Sequence, residues 1–354
     1  MAVSAGASHT CAITNDGNVK CWGYNDTGQL GNGSQVSSSK PVNVVGLDSK
    51  IIAVSAGGGH TCALTKDGAV KCWGENRNGE LGIGGLNPYI STSPLNVVGL
   101  DKDVVAISAG RYHTCAVTKL GSVKCWGINV SYQLGDGTNT NSPVPVTVAG
   151  LGSDGVSVSA GYYQSCALTK AKTMQCWGKN EFAEVGDGTA TLRTKPVDVV
   201  SLQANINMLS TGFGNTCTVA SGFVHCWGDK AFGGLQNIPN FRGRPLPLGN
   251  FPSKAAAITS GRAHTCAVTL EGKALCWGIN DHGQLGNASQ PSTPNSYFAF
   301  SVLGLLGKVI SITAGGDHTC AISEPGTLQC WGKNDNGQLG NGSKSDSVNP
   351  IEVK

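Results

Sequence analysis

Polar and apolar residues alternate along short segments of this chain, and turn residues separate the segments. The segments are rich in Val, Ile, Leu and Thr, and they flank loops such as Asn15-Asp16-Gly17 and Lys66-Asp67-Gly68. Alternation with a period of two indicates β-strands, and two strands joined by a short loop with glycine indicate a β-hairpin. The pattern therefore predicts an all-β chain built from hairpins.

The same hairpin occurs seven times, about once in every 50 residues, and each copy ends in Cys-Trp-Gly. A unit of this length that repeats along a whole chain predicts a solenoid or a propeller. The copies together contain all 14 cysteines and all seven tryptophans. They are centred on Trp22, Trp73, Trp126, Trp177, Trp227, Trp277 and Trp331.

The two cysteines of each copy are predicted to face each other across the hairpin. A three-residue loop with glycine at its third position places Cys11 opposite Cys21. In the fifth copy the cysteine spacing and the turn, Ser221-Gly222, are both one residue shorter, so Cys217 and Cys226 remain opposed. Directly opposed residues have Cα atoms about 4.5–5.5 Å apart, which a disulfide can bridge.

This arrangement predicts seven cross-strand disulfides, and pairs of buried free thiols are the alternative. A metal site is disfavoured because the chain has no Cys-x-x-Cys spacing. Disulfides persist in oxidising compartments, so we expect an extracellular, cell-surface or periplasmic protein. The predicted pairs are Cys11–Cys21, Cys62–Cys72, Cys115–Cys125, Cys166–Cys176, Cys217–Cys226, Cys266–Cys276 and Cys320–Cys330.

One repeat contains four predicted strands, which are residues 41–45, residues 51–57, the strand of Cys62 and the strand of Cys72 and Trp73. Four-stranded units arranged around an axis are the blades of a β-propeller, and we predict one seven-bladed domain over residues 1–354. Neighbouring side chains in a strand point to opposite faces. Each interface between blades should therefore hold a tryptophan from one blade and a disulfide from the other.

The two ends of the chain are expected to meet in the first blade. Residues 2–6 match the second strand of a repeat, and residues 349–354 match a first strand. The C-terminal strand is therefore predicted to join the first blade and close the ring. Because the chain begins inside a repeat, we also expect it to be trimmed from a longer one.

The composition argues against a nucleic-acid partner and against insertion into a membrane. The formal net charge is only +3, and charged residues make up 13% of the chain. This balance is too weakly basic to indicate a nucleic-acid partner. No apolar run is long enough for a membrane-spanning helix, so we expect no direct membrane insertion.

A recurring histidine is the most regular candidate for chemistry, but its replacements indicate a structural role. Gln164 and Asn215 take its place in the fourth and fifth copies, and neither residue type can act as a general base. We therefore predict a hydrogen bond that ties this loop to a neighbour. With no recurring carboxylate pair either, we expect no catalytic residue, no metal and no cofactor. The histidines are His9, His60, His113, His264 and His318.

The candidate binding residues lie where the repeats differ. The Gly-x-x-His loops and the loops that follow Cys-Trp-Gly are predicted to share one face of the propeller. Their aromatic residues concentrate in the third to fifth repeats, and exposed Tyr, Phe and Arg are typical of binding hot spots. Burial of these rings over a central channel is the alternative. The candidates are Arg111, Tyr112, Tyr132, Tyr162, Tyr163, Phe182, Phe213, Phe232 and Arg262.

The repeat unit resembles that of the regulator of chromosome condensation family. The shared pattern is Val-Ser-Ala-Gly-x-x-His-Thr-Cys-Ala-Leu-Thr, followed by Cys-Trp-Gly and Gly-Gln-Leu-Gly, and it covers essentially the whole chain. The paired cysteines are closest in style to secreted bacterial members. The resemblance implies a seven-bladed propeller, a fold that hosts unrelated activities. The family includes a nucleotide exchange factor for a small nuclear GTPase, a plant ultraviolet-B photoreceptor and a secreted bacterial β-lactamase inhibitor.

Departures from these members favour a binding function. Every tryptophan here lies in a Cys-Trp-Gly strand rather than in the Gly-x-x-His loops that the photoreceptor uses, and seven disulfides disfavour a nuclear exchange factor. Our leading hypothesis is a non-enzymatic extracellular scaffold that recognises a protein or a glycan through one face. A structural domain of a larger surface protein, a polysaccharide-acting enzyme and a small-GTPase exchange factor are the alternatives. The divergent segments 229–235 and 237–251 are a further place to expect the partner.

Overall fold

A computed structural model describes residues 1–202, 205–229, 243–249, 251–288 and 296–354, with residues 296 and 297 described by their backbone alone. Within this part of the chain the secondary structure is entirely β-strand. The strands form seven antiparallel sheets of four strands each, arranged in a ring as the blades of a propeller. The predicted fold class is therefore confirmed.

The four strands of each blade follow one another in chain order from the central channel to the rim. The first two blades contain β1 (Ala2–Ala5), β2 (His9–Ile13), β3 (Val19–Gly23), β4 (Ser38–Asn43), β5 (Ile51–Ala56), β6 (His60–Thr65), β7 (Val70–Glu75) and β8 (Ile90–Asn96). The third and fourth contain β9 (Val104–Ala109), β10 (His113–Thr118), β11 (Val123–Gly127), β12 (Ser142–Thr147), β13 (Gly155–Ala160), β14 (Gln164–Thr169), β15 (Met174–Gly178) and β16 (Arg193–Asp198). The fifth contains β17 (Ile206–Thr211), β18 (Asn215–Ala220), β19 (Phe223–Gly228) and β20 (Leu246–Pro247). The last two contain β21 (Ala255–Ser260), β22 (His264–Thr269), β23 (Ala274–Gly278), β24 (Ser296–Ser301), β25 (Val309–Ala314), β26 (His318–Ser323), β27 (Thr327–Gly332) and β28 (Ser347–Glu352).

The central hairpin of each blade has the predicted register. Cys11 lies opposite Cys21, and the loop between them turns at Gly17, whose φ of 85° is in the left-handed region. In the fifth blade the two-residue turn keeps Cys217 opposite Cys226. All seven predicted disulfides are formed, with Cα separations from 4.0 to 4.2 Å.

The predicted assignment of the outermost strand, and with it the predicted ring closure, is wrong. Strand β4 pairs with β3 of its own blade, where Val42 lies opposite Cys21, and it does not belong to the next blade. Strand β28 likewise pairs with β27, so the C-terminal strand completes the seventh blade and not the first. The error arose because β4 is joined to β5 by a shorter segment than to β3, and short connections usually join paired strands. Here the short segment crosses between blades instead.

The ring closes through the same contacts that join every other pair of blades. The N–H of Ala7 donates to the carbonyl of Gly57 in the next blade at 3.0 Å, and the N–H of Gly316 donates to Gly6 at 3.0 Å across the closure. A second set of bonds joins the inner strands, since the N–H of Ala56 donates to Ser4 Oγ at 3.0 Å. Across the closure the N–H of Ala5 donates to Thr313 Oγ1, also at 3.0 Å. The seventh-to-first interface thus needs no exchanged strand.

The core is divided among the interfaces between blades, as predicted. Trp73 packs against the Cys11–Cys21 disulfide of the preceding blade, and Trp22 packs against Cys320–Cys330 across the closure. All seven tryptophans are almost completely buried. Six of the seven indoles are also oriented by a hydrogen bond, as in Trp73, whose Nε1 donates to the carbonyl of Gln29 at 2.9 Å. Among the described residues Trp277 is the exception, since its Nε1 has no such acceptor.

Candidate binding site

The recurring histidine ties each blade to the next, which confirms the predicted structural role. Nε2 of His9 lies 2.8 Å from Oγ1 of Thr61, and Nε2 of His318 lies 2.8 Å from Oγ1 of Thr10 across the closure. Gln164 and Asn215, which replace the histidine in the fourth and fifth blades, also form hydrogen bonds to the next blade. Gln164 Nε2 donates to the Gly212 carbonyl at 3.1 Å, and Asn215 Nδ2 donates to Thr265 Oγ1 at 3.2 Å.

These hydrogen bonds place a proton on Nε2 of the histidine, and burial keeps the ring neutral. The hydroxyl of Thr61 donates to the carbonyl of Gln29 at 2.9 Å, so it must accept from the His9 ring, whose Nε2 therefore carries the proton. Burial lowers the pKa of His9 to about 3 and that of His60 to about 4. Such rings cannot exchange protons with a substrate at neutral pH. The pKa is lowered, mainly by burial, to about 3 in His113 and His318 and to about 4 in His264.

The variable pair of the Gly-x-x-His loop projects from a rigid backbone ring. The N–H of Arg111 donates to the carbonyl of Gly161 at 3.0 Å, and the N–H of Tyr162 donates to that of Gly212 at 3.3 Å. The equivalent bond is present in six of the loops, so the next blade holds the backbone of each of these six. The side chains alone differ from blade to blade, and they extend from a nearly identical frame.

The structure brings five of the predicted residues together above this ring. The rings of Tyr162 and Phe213 meet edge to face with centroids 4.5 Å apart, and those of Tyr112 and Tyr163 lie 5.9 Å apart. The guanidinium of Arg111 joins the two pairs, because it lies 5.2 Å from the ring centre of Tyr112 and 5.6 Å from that of Tyr162. Both distances are within the range of cation–π attraction.

Lys179 extends this arrangement, and sequence reasoning missed it. Its ammonium lies 6.0 Å from the ring centre of Tyr163 and 5.3 Å from that of Phe182, so it connects the fourth-blade loop that follows Cys-Trp-Gly to the Gly-x-x-His loop. Lys179 also forms an ion pair of 3.0 Å with Glu181. We call the resulting surface the aromatic–cationic patch, and it consists of Arg111, Tyr112, Tyr162, Tyr163, Lys179, Phe182 and Phe213.

The other predicted residues lie outside the patch or outside the described residues. Tyr132 occupies the left-handed position of its loop with a φ of 61°, where Gly28 has a φ of 76°. Among the described residues, no ring contact joins Tyr132 to the patch. Arg262 lies in the sixth blade and donates to Asp317 at 2.7 Å. Phe232 falls within residues 230–242, which are not described, as does most of the two divergent segments.

The patch borders the mouth of the central channel. A cavity of about 90 Å³ lies there, lined mainly by the Gly and Ala residues of the inner strands together with Arg111, Tyr162 and Arg262. The patch residues are half-buried apart from Phe182, of which 44% is exposed. The rings therefore pack on one another at the channel edge and still present surface to solvent.

Arg111 is the patch cation that has no carboxylate partner. Within the described residues it takes part in no ion pair, and its buried Nε lacks a hydrogen-bond acceptor. Two nearby cations among the described residues are paired, Lys179 with Glu181 and Arg262 with Asp317. The patch can therefore accept a negative group beside Arg111 without first breaking an existing ion pair.

Within the described ranges, no group of three or more His, Cys, Asp or Glu side chains is arranged to hold a metal ion. Nor do the same residues include a helix long and apolar enough to cross a membrane.

Family models match most of the chain. The RCC1-like domain matches residues 1–240. Two models of the regulator of chromosome condensation (RCC1) repeat match parts of residues 255–354, one at residues 255–284 and 309–338 and the other at residues 271–322 and 325–354.

Similar proteins include functionally diverse relatives. The ultraviolet-B receptor UVR8 of Arabidopsis thaliana is 31% identical, over 98% of this chain and 80% of the receptor. The E3 ubiquitin-protein ligase HERC2 of Homo sapiens is 29% identical over 95% of this chain, but the chain spans only 7% of the ligase.

Solved structures share the fold. The crystal structure of human WBSCR16 superposes with a TM-score of 0.85 at 23% identity, covering 95% of this chain and 94% of that one. Prp20p from Saccharomyces cerevisiae, characterised together with its binding to Gsp1p and histones, superposes with a TM-score of 0.78 at 24% identity. That match covers 89% of this chain and 80% of Prp20p.

Proposed function

The chain belongs to the regulator of chromosome condensation (RCC1) repeat family, and we propose that it is a non-enzymatic scaffold whose aromatic–cationic patch binds a partner protein. The observation that carries this proposal is the cluster around Arg111. Two pairs of aromatic rings and an arginine without a carboxylate partner are held together on a rigid backbone ring. Tyr and Arg in such clusters supply most of the energy of protein interfaces, and a preformed frame loses little entropy on binding.

A protein is a better candidate than a glycan for this surface. Sugars stack on the open faces of aromatic rings, but the guanidinium of Arg111 lies against the rings of both Tyr112 and Tyr162. The edge of Phe213 or Tyr162 meets the face of the other in their pair. A carboxylate on the partner would pair with the Arg111 guanidinium, which has no carboxylate partner within the described residues, so we expect an Asp or Glu at the centre of the partner's surface.

The disulfides support an oxidising location for this interaction, on the cell surface, outside the cell or in the periplasm. Every blade contains one, and the described residues include no free cysteine. Prp20p, which has the same fold and was characterised with its binding to Gsp1p and histones, is an example of such a propeller that binds proteins. A polysaccharide-acting enzyme is disfavoured, because Asp317 is the only acidic residue in the Gly-x-x-His loops and it pairs with Arg262.

The proposal is tested by partner capture, with a variant that takes its residues from the equivalent loop of another blade. The double variant Tyr162→Ala and Tyr163→Ser copies the Ala7-Ser8 pair of the first blade, so the backbone frame should be retained. Tyr89→Ser is the matched control, since Tyr89 is 61% exposed in the second blade, outside the patch. The baits are exposed to the surface and secreted fractions of the native organism, and in parallel to a glycan array.

We expect a protein to be retained by the wild type and by Tyr89→Ser, and lost by the double variant. A protein retained equally by all three would place the binding site elsewhere. Binding to glycans without a protein partner would overturn the choice of partner class, and an unfolded double variant, detected by circular dichroism, would assign the rings to the core.

A further inference from the structure

The outer edge of the sixth blade lacks a proline that every other blade has. In each outermost strand one residue lies opposite the second cysteine of the blade, as Val42 does opposite Cys21 and Phe300 opposite Cys276. The residue immediately before it is proline in six blades, and Ala299 takes that position in β24. The six prolines are Pro41, Pro94, Pro145, Pro196, Pro245 and Pro350.

The position matters because its backbone points away from the blade. Val302 donates its N–H inward to the carbonyl of Ala274 at 3.0 Å, and the direction alternates along an antiparallel strand. The N–H and carbonyl of Phe300 therefore point inward, and those of Ala299 and Ser301 point outward. Proline at this position removes an outward donor and blocks the addition of another strand. Six edges are closed in this way, whereas β24 keeps an outward donor at Ala299.

Strand β24 also has aromatic side chains, which the outermost strands of the other blades lack. Phe298 and Phe300 are 61% and 45% exposed. The position of Phe298 holds Lys40 in the first blade and Lys195 in the fourth, and charged residues on edge strands discourage pairing. Residues 296–301 contain no charge and no proline. The sixth blade therefore lacks both protective features at one place.

We propose that β24 binds an extended segment of a partner protein, which adds to the blade as a fifth strand. The outward N–H and carbonyl groups of Ala299 and Ser301 would pair with the backbone of that segment. Phe298 and Phe300 would contact apolar side chains at alternate positions along it. Because β24 carries no charge, charge does not select the segment. This edge lies at the rim of the sixth blade and is independent of the aromatic–cationic patch.

A peptide segment suits this edge better than a second copy of the chain. The exposed fractions of Phe298 and Phe300 add to about one phenylalanine side chain, or roughly 200 Å². A stable protein interface buries about 800 Å² on each partner. Six residues of strand, about 20 Å long, cannot supply that area between two rigid rings. Strand addition depends instead on backbone hydrogen bonds, which an extended peptide can form along the whole edge.

The variant Ala299→Pro tests the proposal, because it gives the sixth blade the residue that the other six have. The full chain is used to select binders from a phage-displayed library of random dodecapeptides, with counter-selection on Ala299→Pro. Selected peptides are then synthesised and their affinities are measured by fluorescence polarisation. We expect peptides with apolar residues at alternate positions, binding Ala299→Pro at least about tenfold more weakly than wild type.

Two further measurements locate the contact. Phe298→Lys, which copies Lys40 and Lys195, should also weaken the selected peptides. Bound peptide should protect the amides of Ala299 and Ser301 from hydrogen exchange. Peptides that bind Ala299→Pro as tightly as wild type, or a library that yields no binder, would overturn the proposal. A wild-type dimer that Ala299→Pro converts to monomer in sedimentation would also overturn it, since the occupant would then be a second copy.

Discussion

The hydroxyl of Thr61 lies 2.8 Å from Nε2 of His9 and 2.9 Å from the carbonyl of Gln29, so one side chain of the second blade is bound at two points by the first. Trp73, also in the second blade, donates to the same carbonyl at 2.9 Å. The equivalent network joins the closing interface, where Thr10 and Trp22 both donate to the carbonyl of Gln338. The recurring residues of the repeat therefore hold neighbouring blades together.

Acid should unfold this protein, because five histidines are buried in their neutral form. Their folded-state pKa values lie at about 3 to 4, below the ordinary value of 6.5. Above pH 6.5 these rings are neutral in both the folded and the unfolded state. As the pH falls below 6.5 only the unfolded state takes up the protons, so stability falls until the pH reaches the folded pKa values of about 3 to 4. Each histidine contributes a slope of about 1.4 kcal/mol per pH unit in that window. The free energy of unfolding, measured with guanidinium between pH 7.5 and 4, should depend on pH with a slope that corresponds to nearly five protons.

The variant His9→Gln provides the control for that slope. It copies Gln164, which fills the same position in the fourth blade without a titratable group. The free energy of unfolding of this variant should depend on pH with one proton fewer than wild type. Equal stability at pH 7.5 and pH 4 in the wild type would contradict the assignment of neutral, buried rings.

Removal of the Thr61 hydroxyl should weaken one blade interface. Thr61→Val keeps the shape of the side chain but leaves the His9 N–H without an acceptor and removes a donor from the carbonyl of Gln29. An unsatisfied buried group costs about 1–3 kcal/mol, so we expect a loss of that size in the free energy of unfolding. Thr61→Ser is the control, because Ser165 makes the same contacts in the fourth blade. Similar losses in both variants would show that the methyl group, not the hydroxyl, carries the effect.

Sequence reasoning succeeded where an interaction is local. The pairing of Cys11 with Cys21 follows from the length of the turn between them, because a hairpin fixes its own register. The partner of β4 could not be found in this way. The segments on both sides of β4 are long enough to reach either blade, so only packing of the whole ring decides between them. The mistaken ring closure followed from that one assignment.

Some residues of the candidate site could likewise be identified from the sequence, and others could not. Arg111 and Tyr162 could be identified because they occupy variable positions in an otherwise regular loop. Lys179 could not, since its position directly after Cys-Trp-Gly also holds Lys333 in the seventh blade. Its role depends on the rings of Tyr163 and Phe182, which lie in two different loops. Such a relationship appears only when the loops are placed in space.

The disulfides give a direct chemical prediction. Protein denatured without a reductant should show almost no free thiol in a colorimetric titration, and reduction should release all 14. The paired variant Cys217→Ala and Cys226→Ala should lose up to about 3 kcal/mol of stability, the value expected for closing a short loop. Many thiols before reduction would contradict both the pairing and the oxidising compartment inferred from it.

Two glycines in one turn should differ sharply in their tolerance of a side chain. Both Gly31 and Gly33 have positive φ, 67° and 81°, so alanine is strained by about 1–2 kcal/mol at either position. A Cβ on Gly31 would lie 2.6 Å from Nε1 of Trp73, whereas one on Gly33 would meet nothing within 4 Å. Gly31→Ala should therefore be less stable than Gly33→Ala by about 1–3 kcal/mol, the usual cost of overpacking a well-packed core. Guanidinium unfolding of the two variants measures this difference, and equal losses would mean that the indole of Trp73 moves aside freely.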